Sequence, residues 1–226
     1  MISDELFDLF RADIGDVALP HLWSDSEVWL YLNDAYWQFV RLTGGIADFT
    51  SAATQAPIIT GNANGVLHPS ILRIMSAYRV SDGAEIKVIN STDFPLLRAN
   101  DYNTVRPQWL DTTPGPVRYM MIGAQRDIAR WVQVPAADDV AQLTVYRLPL
   151  TKITSSGQEF TGVSEEHHFH LLKWMRHLAY QKQDADTFDR GKRDENELAF
   201  RLYCAQVTAE IERYKAKPRS IAYGGI

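Results

Sequence analysis

The stretch from 22 to 45, LWSDSEVWLYLNDAYWQFVRLTGG, predicts a long amphipathic helix in the N-terminal part of the chain. Ser24 followed by Glu27 is a capping box, in which each side chain accepts a hydrogen bond from the other residue's backbone amide. Apolar residues then recur at helical spacing, namely Val28, Leu32, Ala35, Phe39 and Leu42. Gly44 and Gly45 end the pattern, so we predict a helix over residues 25–43.

The middle of the chain, from residue 49 to residue 162, has the features of a β domain. Helical periodicity fades there, and most of the 10 prolines fall within it, which argues against long helices. The runs ILRIMSAYRV (71–80) and AEIKVI (84–89) flank an Asp-Gly turn and predict a β-hairpin. Further strand-like runs follow at 116–123, 130–135 and 141–150. We predict a small antiparallel β domain of about five to seven strands, either a sandwich or a barrel.

Helical patterns return near the end of the chain. Ser164, followed by two glutamates, has the composition of a helix start, because the helix dipole favours acids in the first turn. We predict two long helices between there and Pro218, which ends the second one. The predicted fold class is therefore α+β, with a helical bundle of one N-terminal helix and two long C-terminal helices. The predicted domains are the bundle (1–48 and 163–216), the inserted β domain (49–162) and an extended C-terminal tail (217–226).

Composition and charge exclude several classes of protein. The 226 residues carry a formal net charge of -5, so a general basic surface for nucleic acid is not indicated. Cys204 is the only cysteine, which excludes an intrachain disulfide and a cysteine-based zinc site. The N-terminus lacks the basic and apolar regions of a signal peptide, and no apolar run approaches the ~18 residues of a membrane span. We predict a protein that is made in the cytoplasm and has no membrane partner.

The stretch EEHHFHLLKWMRHLAYQKQDAD (165–186) holds four of the 6 histidines. On a helix, His170 shares a face with His167 and with Glu166, so a second helix with further ligands would complete a metal site. The stretch lacks the His-Glu-x-x-His spacing, and the chain has no nucleophile-elbow, P-loop or dinucleotide-binding motif. We predict no catalytic, cofactor-binding or metal-binding residue and no enzymatic activity. The alternative is a metal-dependent hydrolase that uses the histidine helix.

The order of these features resembles that of the head-to-tail adaptor (connector) proteins of tailed bacteriophages. The opening helix is similar at Leu22, Trp23, Ser24, Asp25, Glu27, Leu32, Asn33, Ala35 and Arg41. The middle is similar in HPSILRIMSAYR (68–79), QWLDTTPGPVRYMM (108–121) and RWVQVPAADDVAQLTVYRLPL (130–150). The closing helices are similar at His168, Leu171, Trp174, Tyr180, Lys182, Asp184, Ala185 and Asp186. The loop at 50–68 has no clear counterpart in the family pattern.

The resemblance implies a structural protein of the virion neck, at the interface between head and tail. Adaptors of this kind form a ring beneath the dodecameric portal, extend the DNA channel and offer a platform for tail proteins. We therefore expect three kinds of partner: the portal protein, tail proteins (tube, nozzle or stopper) and further copies of this chain in a dodecameric ring. Packaged DNA would pass through without sequence-specific binding. Within the virion, the alternatives are a stopper or a tail-tube protein.

Two groups of residues are candidate contact sites. The C-terminal segment of the family commonly reaches the portal, so the resemblance implies portal contact through Lys215, Lys217, Pro218, Arg219, Ser220, Ile221 and Tyr223. The alternative for this tail is a frayed terminus. The helices also carry more aromatic residues than a three-helix layer needs. We predict subunit-interface positions, with monomer core as the alternative for each, at Tyr31, Trp37, Tyr180 and Tyr203.

Overall fold

The computed structural model describes residues 2–92, 114–183 and 188–215. Within these residues the chain forms both α-helices and β-strands, which confirms the predicted α+β class. The chain divides into two compact units. The helical unit comprises residues 1–44 and 151–226, and the β unit comprises residues 45–150. The domain boundaries given by the sequence, with the β domain at 49–162, stay predictions.

The described part of the helical unit contains four helices: α1 (Ser3–Ile14), α2 (Asp25–Leu42), α3 (Glu165–Gln181) and α4 (Arg190–Lys215). The predicted start of α2 is confirmed, because the Glu27 amide donates to the Ser24 hydroxyl at 3.3 Å and the Ser24 amide donates to the Glu27 carboxylate at 2.8 Å. The sequence predicts one N-terminal helix, whereas the structure has two. The additional helix, α1, forms because Leu6 and Phe10, one turn apart, are both fully buried.

The corner between α1 and α2 is fastened by a buried arginine. The Arg11 guanidinium donates to the Asp16 carboxylate at 2.6 Å and to the Trp23 carbonyl at 3.1 Å, and it also pairs with Asp25. Asp16 in turn accepts from the Leu22 amide at 2.7 Å. Arg11 and Asp16 are both buried, so each charge depends on the other to offset its desolvation. The loop between the two helices is therefore held at both of its ends.

The polar side chains of α2 connect the two sequence-distant parts of the helical unit. Three side chains within about one helical turn are involved, and each bond spans more than a hundred residues of sequence. The bonds join Asn33 Oδ1 to the Ile153 amide (3.1 Å), Asp34 Oδ2 to the Trp174 indole (2.6 Å) and the Tyr36 hydroxyl to the Thr161 carbonyl (2.6 Å). Beside them lies a fully buried apolar core made of Val28, Leu32, Ala35, Leu171, Met175 and Phe200.

The described part of the β unit contains ten strands and one short 3-10 turn, Ala52–Thr54. The strands are β1 (Ile46–Asp48), β2 (Gln55–Ile58), β3 (Asn64–Val66), β4 (Ile71–Arg79), β5 (Glu85–Asn90), β6 (Pro114–Gly115), β7 (Tyr119–Gln125), β8 (Ile128–Val132), β9 (Val134–Pro135) and β10 (Asp139–Arg147). An 8-stranded sheet, curled into a half-barrel, has the order β1-β10-β4-β5-β7-β8-β3, and β2 also pairs with β10. The strands β6 and β9 form a separate 2-stranded sheet.

The sheet is mixed, so the prediction of an antiparallel β domain is wrong in part. The predicted hairpin is confirmed, since β4 and β5 pair antiparallel across a turn with Gly83 at a φ of 69°. β5 then pairs with β7 in the parallel direction, and β6 pairs with β9 in the same way. Parallel neighbours need a crossover between them, and the partner of such a strand is not visible in its local sequence pattern.

Trp131 on β8 lies at the centre of the β unit's core. Only 1% of it is exposed, and it packs with Ile86, Met120 and Leu143, which are equally buried. A Cβ atom at Gly65 would lie 2.5 Å from the indole ring, which is closer than real contacts allow. Gly65 is therefore needed for β3 to approach the tryptophan.

One buried ion pair fixes the edge of this sheet, where β1 pairs with β10. The Arg147 guanidinium pairs with Asp48, and both residues are buried. Burial alone would raise the pKa of Asp48, but hydrogen bonds from the Ser51 hydroxyl, Arg147 and the amides of Thr50 and Ser51 hold that pKa well below its ordinary value. The carboxylate is therefore ionised at neutral pH.

Replacing Asp48 with Asn leaves the buried Arg147 guanidinium without a counter-charge, so we expect the free energy of unfolding to fall by about 3–5 kcal/mol. The matched control is Asp82→Asn. It breaks the 2.5 Å ion pair with Arg79 at the surface, and we expect a loss of about 0–1 kcal/mol. Urea unfolding at neutral pH measures both losses.

The sign of the pH dependence follows from the lowered pKa of Asp48. The stabilisation is present above the ordinary aspartate pKa and is lost as the pH falls towards the lower pKa of the folded state. The difference between the wild type and Asp48→Asn should therefore shrink in acid. Equal losses for Asp48→Asn and Asp82→Asn at neutral pH would contradict this account.

Candidate interaction surfaces

A cluster of aromatic and imidazole rings lies between α3 and α4. The Tyr203 hydroxyl is hydrogen-bonded to His167 Nδ1 at 2.9 Å. The ring of His170 stacks on Tyr203, with ring centroids 3.4 Å apart and an interplanar angle of 15°. Phe39 of α2 lies 5.2 Å from the His167 ring. Two of the four clustered histidines therefore serve the packing of the helical unit.

The other two histidines of this stretch bind backbone carbonyls. His168 Nε2 lies 3.1 Å from the Val163 carbonyl oxygen, and His177 Nδ1 lies 3.1 Å from the Arg193 carbonyl oxygen. Both histidines are buried. In the part of the chain that the structure describes, no three His, Cys, Asp or Glu side chains converge as a metal ion would require. His167 and His170 share Tyr203, whereas His168 and His177 each bind a different carbonyl, so the four imidazoles do not converge on one centre.

The remaining predicted interface positions, Tyr31, Trp37 and Tyr180, are half-buried. The Lys192 ammonium lies 5.1 Å from the centre of the Tyr180 ring, a cation–π contact within the helical unit. The Trp37 indole nitrogen is buried and has no acceptor among residues 2–92, 114–183 and 188–215. Tyr203 contacts His167, His170 and Phe39 inside the unit. A subunit interface at these four positions stays a prediction.

A second apolar stripe runs along the outside of α4, and the sequence interpretation missed it. The outer stripe consists of Leu198, Leu202, Ala205 and Ala209, which are all exposed. Their spacing of four, three and four residues places them on one helix face. At about 100° per residue, this face lies opposite the buried residues Phe200, Cys204 and Val207. The helical spacing of these leucines and alanines was visible in the sequence, but the buried stripe has the same periodicity.

The loop between α1 and α2 also exposes large apolar side chains. Val17 is 70% exposed, Leu19 is 83% exposed and Leu22 is 49% exposed. Since Arg11 and Asp16 hold the ends of this loop, these side chains are presented from a fixed backbone.

The predicted portal-contact tail lies almost entirely outside the residues that the structure describes. Only Lys215, the last residue of α4, falls within them, and it is exposed. Lys217, Pro218, Arg219, Ser220, Ile221 and Tyr223 lie outside them. The role of the tail stays a prediction.

A protein-family model described as "SU10 adaptor protein" matches residues 1–222, which is nearly the whole chain. No curated protein matches the chain. None of the helices in the described ranges has the length and apolar character of a membrane span.

The His170 ring is electrostatically disfavoured as a cation. Burial lowers its pKa, and the nearby charges of Lys173 and His167 lower it further. Its Nδ1 atom is buried without an acceptor in the described part of the chain. The folded state therefore holds His170 neutral more strongly than the unfolded state does.

We expect the helical unit to lose stability as the pH falls below the ordinary histidine pKa of about 6.5, because the unfolded state takes up the proton first. His170→Phe keeps a ring stacked on Tyr203 but does not titrate, so its unfolding free energy should depend less on pH over this range. His68→Gln, an exposed histidine of the β unit, controls for the loss of one histidine. Thermal or urea unfolding at several pH values measures the effect, and identical pH profiles for the wild type and His170→Phe would contradict it.

Proposed function

Since the chain belongs to the SU10 adaptor protein family, we propose that it is the head-to-tail adaptor of a phage particle and forms a ring beneath the portal. The family match over residues 1–222 is the observation that carries this proposal. In this role the protein extends the DNA channel and provides the platform on which tail proteins assemble. It acts by binding other proteins and not by catalysis.

The outer stripe of α4 supports ring formation by the helical unit. Leu198 and Leu202 are 61% and 57% exposed, and the two alanines beside them let a neighbouring backbone approach closely. A contact between unlike surfaces of adjacent copies generates a closed ring when the rotation from one copy to the next is a whole fraction of a full turn. We expect the ring to be a dodecamer, with the outer stripe against the neighbouring copy.

The aromatic positions fit the same proposal to different degrees. Trp37 supports it through its half-buried indole, because part of the ring is left for contact with a neighbouring copy. Tyr31 and Tyr180 are half-buried side chains of the size that interfaces favour. Tyr203, by contrast, stacks on His170 within its own chain, so we expect it to shape the interface indirectly.

The end of α4 supports contact with the portal. Tyr214 is 92% exposed, and the tail that follows carries Lys217 and Arg219 together with the apolar Ile221 and Tyr223. A segment of this composition fits a groove with an acidic rim and an apolar floor. We therefore assign the portal contact to residues 215–223. The formal net charge of -5 suits a channel that DNA must pass without binding to it.

Removal of residues 216–226 is expected to weaken binding to the cognate portal ring by at least about tenfold, which corresponds to about 1.4 kcal/mol. The thermal unfolding of the shortened protein is measured beside that of the full chain, so that a loss of portal contact is distinguished from a loss of folding. Native mass spectrometry of the mixture with the portal ring measures binding. Full binding of the portal by the shortened protein would contradict a portal contact through the tail.

The double substitution Leu198→Asp and Leu202→Asp is expected to prevent ring assembly on the portal. Charged residues would have to be buried against the neighbouring copy, whereas both positions are exposed in the single chain and its folding should be unaffected. Val66→Asp is the matched control, since Val66 is 66% exposed but belongs to the β unit. The number of copies per portal, read from native mass, should fall for the double variant alone.

A further inference from the structure

The strand β5 changes its hydrogen-bonding partner halfway along its length. It pairs with β4 only at Glu85 and Ile86, opposite Tyr78 and Ala77. From Lys87 to Asn90 it pairs with β7 instead. β4, meanwhile, pairs with β10 along its entire length. The two strands of the hairpin therefore separate after their first few residues.

Two extra residues in β4 account for this separation. Opposite β10, the pairing steps from Ser76 directly to Ile74, and further along from Arg73 to Ile71. Met75 and Leu72 are thus bulged residues without a counterpart on β10. A bulge bends its strand and increases the local twist, so two of them turn β4 away from β5. Both bulged side chains are exposed, Met75 at 50% and Leu72 at 43%.

The separation leaves backbone groups of β5 facing the opening. The Lys87 amide donates to the Arg118 carbonyl and the Ser91 amide donates to the Ile122 carbonyl, each at 2.9 Å, so these amides face β7. Successive amides of a strand point to opposite sides. The amides and carbonyls of Val88 and Asn90 therefore point towards β4, and no strand of the described residues pairs with them there.

A groove of about 410 Å³ lies at this position. Five consecutive residues of β5, from Glu85 to Ile89, line it, together with Met75 and Ser76 of β4 and Tyr119 of β7. Consecutive residues of a strand alternate between the two faces of a sheet, so the groove is bordered by the edge of β5 rather than by one of its faces. An opening bordered by strand edges is a site for a further strand.

We propose that this groove accepts one extended strand from another protein of the virion neck, which adds to the sheet between β4 and β5 by backbone hydrogen bonds. This inference rests on the proposed function for the kind of partner. Main-chain bonds to Val88 and Asn90 supply affinity, and the side chains at the rim supply specificity.

The rim indicates the chemistry of the incoming strand. Met75, Ile89 and Tyr119 form its apolar part. Lys87 lies on the rim beside Glu85, and Arg73 is an exposed residue of β4 outside the groove lining. Lys87 is the one basic residue of the groove lining and lies near the apolar Met75 and Ile89, so a strand that carries an apolar residue next to an acidic one is complementary. Lys87 and Arg73 also protect the open edge from indiscriminate pairing in the free protein.

Amide hydrogen exchange with residue-level fragmentation tests the inference on the full-length protein, free and in neck complexes purified from phage particles. In the free protein the Val88 and Asn90 amides should exchange much faster than the Lys87 and Ser91 amides beside them. In the neck, we expect the exchange of Val88 and Asn90 to slow by on the order of a hundredfold. Lys87 and Ser91 serve as internal controls, because their bonds to β7 are present in both samples.

Two results would overturn the inference. Slow exchange of Val88 and Asn90 in the free protein would show that this chain fills its own groove. Fast exchange in the neck would show a groove that stays open to solvent. In either case the presence of the protein in the purified neck is read from the same sample, so the proposed function and the groove are judged separately.

Cross-linking identifies the occupant. Met75→Cys, labelled with a cysteine-reactive photo-cross-linker, places the probe at the groove, and Ile59→Cys places it at an equally exposed site, since both residues are 50% exposed. Burial raises the pKa of the native Cys204 to about 12, so that thiol stays unlabelled. Cross-links from position 75 to an apolar-acidic segment of a different neck protein are expected. Cross-links to a second copy of this chain, or none at position 75, would overturn the inference.

Discussion

The helical unit forms when α2 packs against the chain segment that returns from the β unit. The helical unit is made of two pieces that are separated by more than a hundred residues of sequence. Bringing such ends together costs chain entropy, which the contacts between them must offset. α2 supplies these contacts with an apolar face and with three side chains, Asn33, Asp34 and Tyr36, that bond to residues 153–174. The β unit is the stretch of sequence between these two pieces of the helical unit.

The same helices carry two kinds of surface, one inside the unit and one outside. The histidines and Tyr203 fill the inner contacts between α2, α3 and α4, where rings stack and imidazole nitrogens bind carbonyls. The outer stripe of α4 and the loop at Val17 and Leu19 face away from this core. In the adaptor role that we propose, the helical unit binds further copies and the portal, while the groove in the β unit receives a strand from another neck protein.

The sequence predicted the elements whose signals are local. The capping box at Ser24 and Glu27 and the Asp-Gly hairpin between β4 and β5 form as expected, because each depends on residues a few positions apart. The parallel pairing of β5 with β7 was missed, since the partner of a parallel strand is not visible in the local sequence pattern. The partners of His167 and His177 were equally out of reach, as Tyr203 and Arg193 meet these imidazoles only after α3 and α4 pack. The outer stripe of α4 was present in the sequence but was hidden by the buried stripe of the same period.

Electron cryomicroscopy of the head–tail neck, from the phage that encodes this chain, would show whether the protein contacts the portal. From the adaptor role we expect a ring of this protein in contact with the portal, with the helices and the β sheet each recognisable in every copy. We also expect equal numbers of adaptor and portal subunits, as matched rotational symmetry requires. A neck whose portal contacts a different protein, with this chain absent or confined to the tail tube, would contradict the adaptor role.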